Sequence, residues 1–389
     1  MGYRPCPSTG CKGKITADQA TDAALMGRAM ELAAMVRATT SPNPWVGAVV
    51  LASDGQHFEG ATSPPGGPHA EIVGLAAAGA LARGSTLYTT LEPCTHTGRT
   101  PPCVAAIMEA GVARVVVGVE DPDPMVSGRG IDQLRRASIE VEVGVGADAI
   151  AAQLAPYLEH RRTGRPWVVL KLAASLDGRI AAPDGTSRWL TGATARADAH
   201  RLRSESDAVL VGAGTVRADD PELTVRFAPA SPVRETDRQP MRVVLGHAPV
   251  GARVHPALEM QGDLGDVLEQ LGAKGVVQLL VEGGARVAHD FHAAGLVNRY
   301  VVYLASALFG GDDGVAMFAG PGAPTLSDLW RGRLIGLERL GDDIRVELAP
   351  AGAGPVAAPV ASAAPVAPVA PVAPVAPAVP AGPAGPDGS

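Results

Sequence analysis

Three short stretches hold the residues that could do chemistry: Pro68-His69-Ala70-Glu71, Leu91-Glu92-Pro93-Cys94 and Pro101-Pro102-Cys103. One imidazole and two thiolates offer a zinc ion three ligands. The fourth tetrahedral position stays open to water, as in a catalytic rather than a structural site. Zinc lowers the pKa of that water to about 7, and a carboxylate close by can carry its proton. Glu71, two residues from His69, is the candidate carrier. A lone histidine or cysteine reads as an ordinary core or surface residue. All three ligands and the acid in this order point to chemistry instead.

An H-x-E followed by Pro-Cys and a further Cys is the pattern of hydrolytic deaminases of amino-pyrimidines and amino-purines. That pattern usually puts two residues between its cysteines. Here Cys94 and Cys103 enclose the longer insert Thr95-His96-Thr97-Gly98-Arg99-Thr100-Pro101-Pro102. With Ser41-Pro42-Asn43-Pro44-Trp45-Val46-Gly47 before it and Lys171-Leu172-Ala173-Ala174-Ser175-Leu176-Asp177-Gly178-Arg179 after it, the insert closely resembles the bifunctional deaminase/reductase family of riboflavin biosynthesis. The resemblance runs from about Asp18 to Leu348 and covers neither end.

The resemblance implies an α/β protein with an N-terminal cytidine-deaminase-like three-layer domain and a C-terminal dihydrofolate-reductase-like domain. It implies Zn2+ and NADPH as cofactors, a pyrimidine ribonucleotide substrate and self-association into a homo-oligomer. Residue by residue, it implies that Asn43, His96 and Arg99 face the substrate of the first half. In the second half Lys171, Ser187, Arg203, Glu222, Arg226 and Glu282 match substrate positions. Ala173, Trp189, Thr215, Asp219 and the run Gly284, Ala285, Arg286, Val287, Ala288, His289 and Asp290 match cofactor positions. Arg99 suits a phosphate, and Arg203 with Arg226 suits a bidentate clamp on a phosphate monoester. The role of Asp219, orienting the ribose or passing a proton, stays open. Gly246-His247 departs from the Asp-Ser that many relatives carry at the cofactor's edge, which puts NADPH over NADH in question.

These residues need elements to position them. Leu25, Ala29, Leu32 and Val36 form one stripe, which predicts a helix over 18–38. Strands are expected at 46–51, 86–91, 115–119 and 139–143, with helices at 69–81, 103–110 and 149–161. His69 and Cys103 then sit at helix starts, where the positive dipole end favours a thiolate. Thr163-Gly164-Arg165-Pro166 is the expected boundary. This divides the chain into an irregular leader 1–16, a deaminase domain 17–162, a reductase domain 166–349 and a tail 350–389. Beyond the boundary, strands are expected at 167–172, 208–211 and 276–281, and a helix ending near Ser206. Gly212-Ala213-Gly214-Thr215 is not a dinucleotide fingerprint, because Arg217 fills the third glycine position and Ala218-Asp219-Asp220-Pro221 is expected to break any helix there. Glu282-Gly283-Gly284-Ala285-Arg286 is the better phosphate site, with backbone N–H groups at a helix start.

Composition bounds the rest. The chain has 389 residues, 33 Lys plus Arg against 40 Asp plus Glu and a net charge of −7, which disfavours nucleic acid as a partner. Four cysteines are too few for a disulfide scaffold, so a reducing, cytoplasmic setting is expected, and no apolar run is long enough to span a membrane. The Pro-Val-Ala repeats after Ala351 cannot bury a core and are expected to be disordered. Two rival readings remain. One is a deaminase of another base or nucleoside whose second half only binds a nucleotide. The other is a structural four-cysteine zinc site completed by Cys6 and Cys11.

Overall fold

The computed structural model describes residues 17–95, 102–226 and 238–352. The leader, the tail beyond residue 352, His96 and Arg99 lie outside the described residues.

The first half is built on a five-stranded sheet. Its elements are α1 (Ala17–Thr40), β1 (Gly47–Leu51), β2 (His57–Ala61), α2 (Ala70–Ala78), β3 (Thr86–Leu91), α3 (Cys103–Ala110), β4 (Arg114–Val119), α4 (Arg129–Arg136), β5 (Glu140–Val143), α5 (Ala147–Gln153) and α6 (Ala155–Thr163). Strand order is β2-β1-β3-β4-β5; β1 is antiparallel to both neighbours and the last three strands run parallel. Two glycines reveal the layering. A Cβ on Gly47 would lie 1.9 Å from the Ala29 carbonyl oxygen of α1, and one on Gly60 would lie 2.1 Å from the Ala70 oxygen of α2. Gly60 pairs with Ala48, so Gly47 and Gly60 face opposite ways and the two helices cover opposite faces of the sheet. Ala48, Val49, Val50, Val115, Val116 and Val117 are fully buried between them.

The second half carries an eight-stranded sheet. Its elements are β6 (Trp167–Ser175), β7 (Arg179–Ala181), α7 (Ala193–Ser204), β8 (Ala208–Gly212), α8 (Ala213–Asp219), β9 (Met241–Leu245), β10 (Leu258–Met260), α9 (Leu264–Ala273), β11 (Gln278–Val281), α10 (Ala285–Ala293), β12 (Arg299–Ala305), β13 (Val315–Ala316), β14 (Gly332–Leu340) and β15 (Asp343–Pro350). The order is β10-β9-β8-β11-β6-β12-β15-β14, parallel as far as β12 and antiparallel from there, while β7 and β13 pair separately. Parallel strands buried on both faces explain the near-continuous valine and leucine runs of β8 and β11.

Two expectations need correction. The helix expected over 149–161 is two helices meeting at Leu154, because Pro156 belongs in a first turn and not in a helix interior. The helix denied after Gly212 does form. Pro221 falls beyond its end, and Asp220 closes it with a positive φ of 41°.

The two halves meet at the end of α1. Arg37 donates to Gln278 Oε1 at 2.6 Å, lies 3.4 Å from Glu205 and stacks over the Trp45 ring at 4.5 Å. Ser41 hydrogen-bonds Asp207, and Val277 packs into the first half's core.

Candidate active sites

In the first half, three chain segments converge at one end of the sheet. His69 is the N-cap of α2, Cys103 opens α3 behind Pro102, and Cys94 follows β3. His69 Nδ1 lies 3.3 Å from Cys103 Sγ and 3.5 Å from Cys94 Sγ, and all three donor atoms fall within 4.8 Å of one another. The Cys103 N–H points at Cys94 Sγ across 3.4 Å, which suits a thiolate at a helix start. Hydrogen bonding from Cys103 holds Cys94 at about 4, and that same bond, with burial, pushes the Cys103 thiol up. One nitrogen and two sulfurs, with no fourth protein donor in the cluster among the described residues, form a donor set that fits zinc with room for a substrate or water.

Glu71, in the first turn of α2, is 4% exposed; burial, and then the Cys94 charge, push its carboxyl up to about 7. A carboxyl at that value can both take and return a proton near neutrality. The cleft in front of it, about 350 Å³, is lined by Asn43, His69, Glu71 and Cys94. Asn43 thus lies in the same cleft as the three ligands.

Sequence reasoning missed a further part of the lining: Asp121, Asp123, Tyr157 and Arg161. Tyr157 donates to Asp121 at 3.0 Å, and Arg161 sits 3.7 Å from Asp123 and over the Tyr157 ring. Asp121-Pro122-Asp123-Pro124 reads as a turn, and Arg161 as a helix end, so no local signal aims them at a cleft. Glu92, part of the original motif, has a structural task. Its buried carboxylate accepts from the N–H groups of Asp121, Gly128, Gly130 and Ile131, fixing that part of the lining.

In the second half the residues of interest gather at the carboxyl ends of the parallel strands β8, β11 and β6, where open α/β sheets bind ligands. Glu282 follows β11, whose last residue Val281 pairs with Leu170, the residue before Lys171 on β6. Arg203 donates to both Glu282 oxygens at 2.5 and 2.9 Å, and Lys171 stands 3.7 Å away. Burial alone would push the Glu282 carboxyl up. The Arg203 and Lys171 charges reverse that and hold it at about 2. Arg226 pairs with Glu222 at 2.8 Å, and Arg253 also meets Glu222. Arg203 therefore spends its fork on Glu282 and touches the Arg226 segment through the Thr224 oxygen at 3.0 Å.

Thr215 and the glycine pair meet directly: the Gly284 N–H donates to Thr215 Oγ1 at 3.1 Å, joining the starts of α8 and α10. Of the expected cofactor run, Gly284, Ala285, Arg286 and Val287 form the cap and first turn. Ala288 is fully buried in the core, His289 bonds the Pro321 oxygen at 3.0 Å, and Asp290 lies a turn along the helix. Ala173 lies on β6, Trp189 is exposed beneath the Arg196 guanidinium, and Ser187 precedes it. Asp219 closes α8, its carbonyl accepting from Arg188. His247, following β9, lies 2.8 Å from Glu259 on β10.

A deaminase-type metal cleft on one sheet and a ligand crevice with paired helix starts on another define a two-centre enzyme. Comparison with known proteins agrees. The family model described as the cytidine and deoxycytidylate deaminase zinc-binding region matches residues 19–119, and the RibD C-terminal domain matches residues 166–346. The riboflavin biosynthesis protein RibD of Mycobacterium tuberculosis is 42% identical over 330 residues, covering 83% of this chain and 96% of the relative. The solved structure of Acinetobacter baumannii RibD is 37% identical with a TM-score of 0.80, covering 85% of this chain and 99% of that one. A Thermotoga maritima structure, titled a diaminohydroxyphosphoribosylaminopyrimidine deaminase/5-amino-6-(5-phosphoribosylamino)uracil reductase, is 32% identical with a TM-score of 0.76, covering 86% and 99%.

The chain belongs to the RibD family, the bifunctional deaminase/reductases of riboflavin biosynthesis. Its deaminase domain is zinc-binding and its reductase domain uses NADPH. No helix among the described residues is long and apolar enough to cross a membrane.

Proposed function

We propose that this chain deaminates 2,5-diamino-6-ribosylamino-4(3H)-pyrimidinone 5′-phosphate in its first half and reduces the resulting ribosylamino group to a ribityl chain in its second. The convergence of His69, Cys94 and Cys103 beside the buried Glu71 carries the reading. His69 Nδ1 and the two sulfurs would hold zinc, which supplies a water acidified to about pKa 7. Glu71 takes the proton of the attacking water and returns one to the departing ammonia, so one C–N bond is exchanged for one C–O bond. Asn43, able to donate and accept, orients the pyrimidine. His96 and Arg99 enter by motif match alone, as substrate contacts from the loop beside Cys94.

In the second half NADPH would supply a hydride to the sugar C1′ as the C1′–O4′ bond breaks through the ring-opened imine and O4′ takes up a proton. Gly284, Ala285 and Arg286, with Thr215, would hold its pyrophosphate at the start of α10, and Ala173, Trp189 and Asp219 would contribute further contacts. Arg203 and Arg226 attract the substrate phosphate, while Lys171, Ser187, Glu222 and Glu282 fix the rest of the ribonucleotide. We place the reaction in the cytoplasm, where the ligand thiols stay reduced, and in a homo-oligomer, as the resemblance implies.

The test is to give the zinc-loaded protein the diaminopyrimidinone ribonucleotide with NADPH and to follow ammonia and NADPH together. Ammonia release followed by a lagging NADPH loss supports the reading. Ammonia without NADPH loss removes the reductase half of it.

A further inference from the structure

Residues 222–226 carry Glu222 and Arg226 but belong to no strand, so their backbone needs other partners. Side chains supply them. Arg203 donates to the Thr224 oxygen at 3.0 Å, Gln239 accepts from the Val225 N–H at 2.7 Å, and the Arg226 N–H donates to His200 Nδ1 at 3.2 Å. His200 and Arg203 are three apart on α7, so both project from one helix face onto this segment. The segment is thereby pinned at consecutive residues, and Arg226 is its last pinned residue.

We infer that His200 is a positioning residue for the phosphate end of the reductase substrate: its Nδ1 fixes the Arg226 backbone against the face of α7 from which Arg203 also projects. The inference rests on the reading that Arg226 meets the phosphate. For Nδ1 to accept, the imidazole must be neutral with its proton on Nε2. Burial and the flanking Arg203 and Arg226 charges favour that state and push His200 down to about 4. A third cation at this position would add attraction for phosphate but would lose the acceptor. The site uses a neutral ring instead.

The test compares His200→Met with His200→Gln, side chains of similar length of which only glutamine offers an acceptor. In His200→Met the KM for the deaminated ribonucleotide rises up to about tenfold, the upper end of what losing one hydrogen bond costs. KM for NADPH and ammonia release stay within about twofold, and His200→Gln recovers most of the loss. Amide exchange of the peptide over 222–226 quickens in His200→Met and not in His200→Gln. If the methionine variant folds poorly, the glutamine variant's KM and exchange decide alone: wild-type values support the inference, and a tenfold defect overturns it. An equal defect in both variants, or equal losses for NADPH and ribonucleotide, overturns it too. Arg226→Ala separates the layers. If its KM is unchanged, the phosphate reading falls and takes the inference with it. If its KM rises while His200→Met stays normal, only the inference falls.

Discussion

Replacing Arg203 with methionine tests the electrostatics of the second site in a way that packing cannot imitate. Glu282 is 7% exposed in its side chain and depends on Arg203 at 2.5 Å, with Lys171 only at 3.7 Å. A fall in its pKa from 4.5 to about 2 corresponds, at about 1.4 kcal/mol per tenfold, to roughly 3 kcal/mol of stability. The sign follows from the depressed value. The wild-type contribution is complete above pH 4.5 and is lost only as pH falls toward 2, so it is constant between pH 8 and 5. In Arg203→Met the carboxylate is buried without its main partner, and its pKa rises. The variant then costs about 3 kcal/mol at pH 8. The deficit narrows by more than about 1 kcal/mol toward pH 5 as Glu282 takes up a proton. The assay is urea unfolding of both proteins across that range, followed by amide exchange in peptides from β6 and β11. Subtracting the two curves cancels the groups that Arg203 does not touch, and placing both proteins in a His200→Gln background removes the one histidine whose titration its charge also holds down. A deficit that stays the same from pH 8 to 5 refutes the argument, because lost packing has no pH dependence.

Glu71→Gln keeps the volume and removes the proton carrier; ammonia release falls by at least about 100-fold while zinc content and NADPH oxidation with the deaminated nucleotide stay normal. Chelation of the metal abolishes ammonia release and leaves that same reduction untouched; loss of both activities would contradict separate centres. Gly60→Ala drives a Cβ to 2.1 Å from the Ala70 oxygen, between His69 and Glu71, so it costs about 3 kcal/mol by thermal unfolding and depresses ammonia release more than reduction.

The metal-site motif was legible because His69 and Cys103 lie at helix starts and Cys94 just past a strand end, all of which short apolar runs announce. The rest of the cleft was not. Asp121, Asp123 and Arg161 reach the cleft only through the Glu92 carboxylate and the packing of α6, neither of which leaves a periodic trace. Of the stripe expected on α1, Ala29 and Leu32 are buried and Leu25 and Val36 half-buried, while Asp22, Met26, Ala33 and Thr40 are buried as well. The charged member is paid for by Arg114 and Tyr88, at 2.8 and 2.7 Å. β2 eludes a strand search because His57-Phe58-Glu59-Gly60-Ala61 carries no β-branched residue; it is an edge strand whose Glu59 pairs with Arg28. β15 is harder still. Its Ile344, Val346 and Leu348 are half-buried, and the fully buried face is Asp343, Arg345, Glu347 and Ala349. Arg345 meets Asp198 and Glu347, and Glu347 meets Arg299, so ion pairs replace the apolar face that alternation would assign.

The Arg37 junction bears on any attempt to divide this chain into two independent enzymes. Gly164 looks like an obvious place to cut, since α6 ends there in a left-handed turn. A deaminase fragment ending at that point would keep Arg37 stacked on Trp45 but lose Gln278 and Glu205, while the reductase fragment would keep Glu205 and Asp207 without Arg37 and Ser41. Each fragment would expose half of an ionic contact and part of a shared apolar seam around Val277. Separated halves would therefore need new surface residues at these positions before either behaved as a free-standing protein.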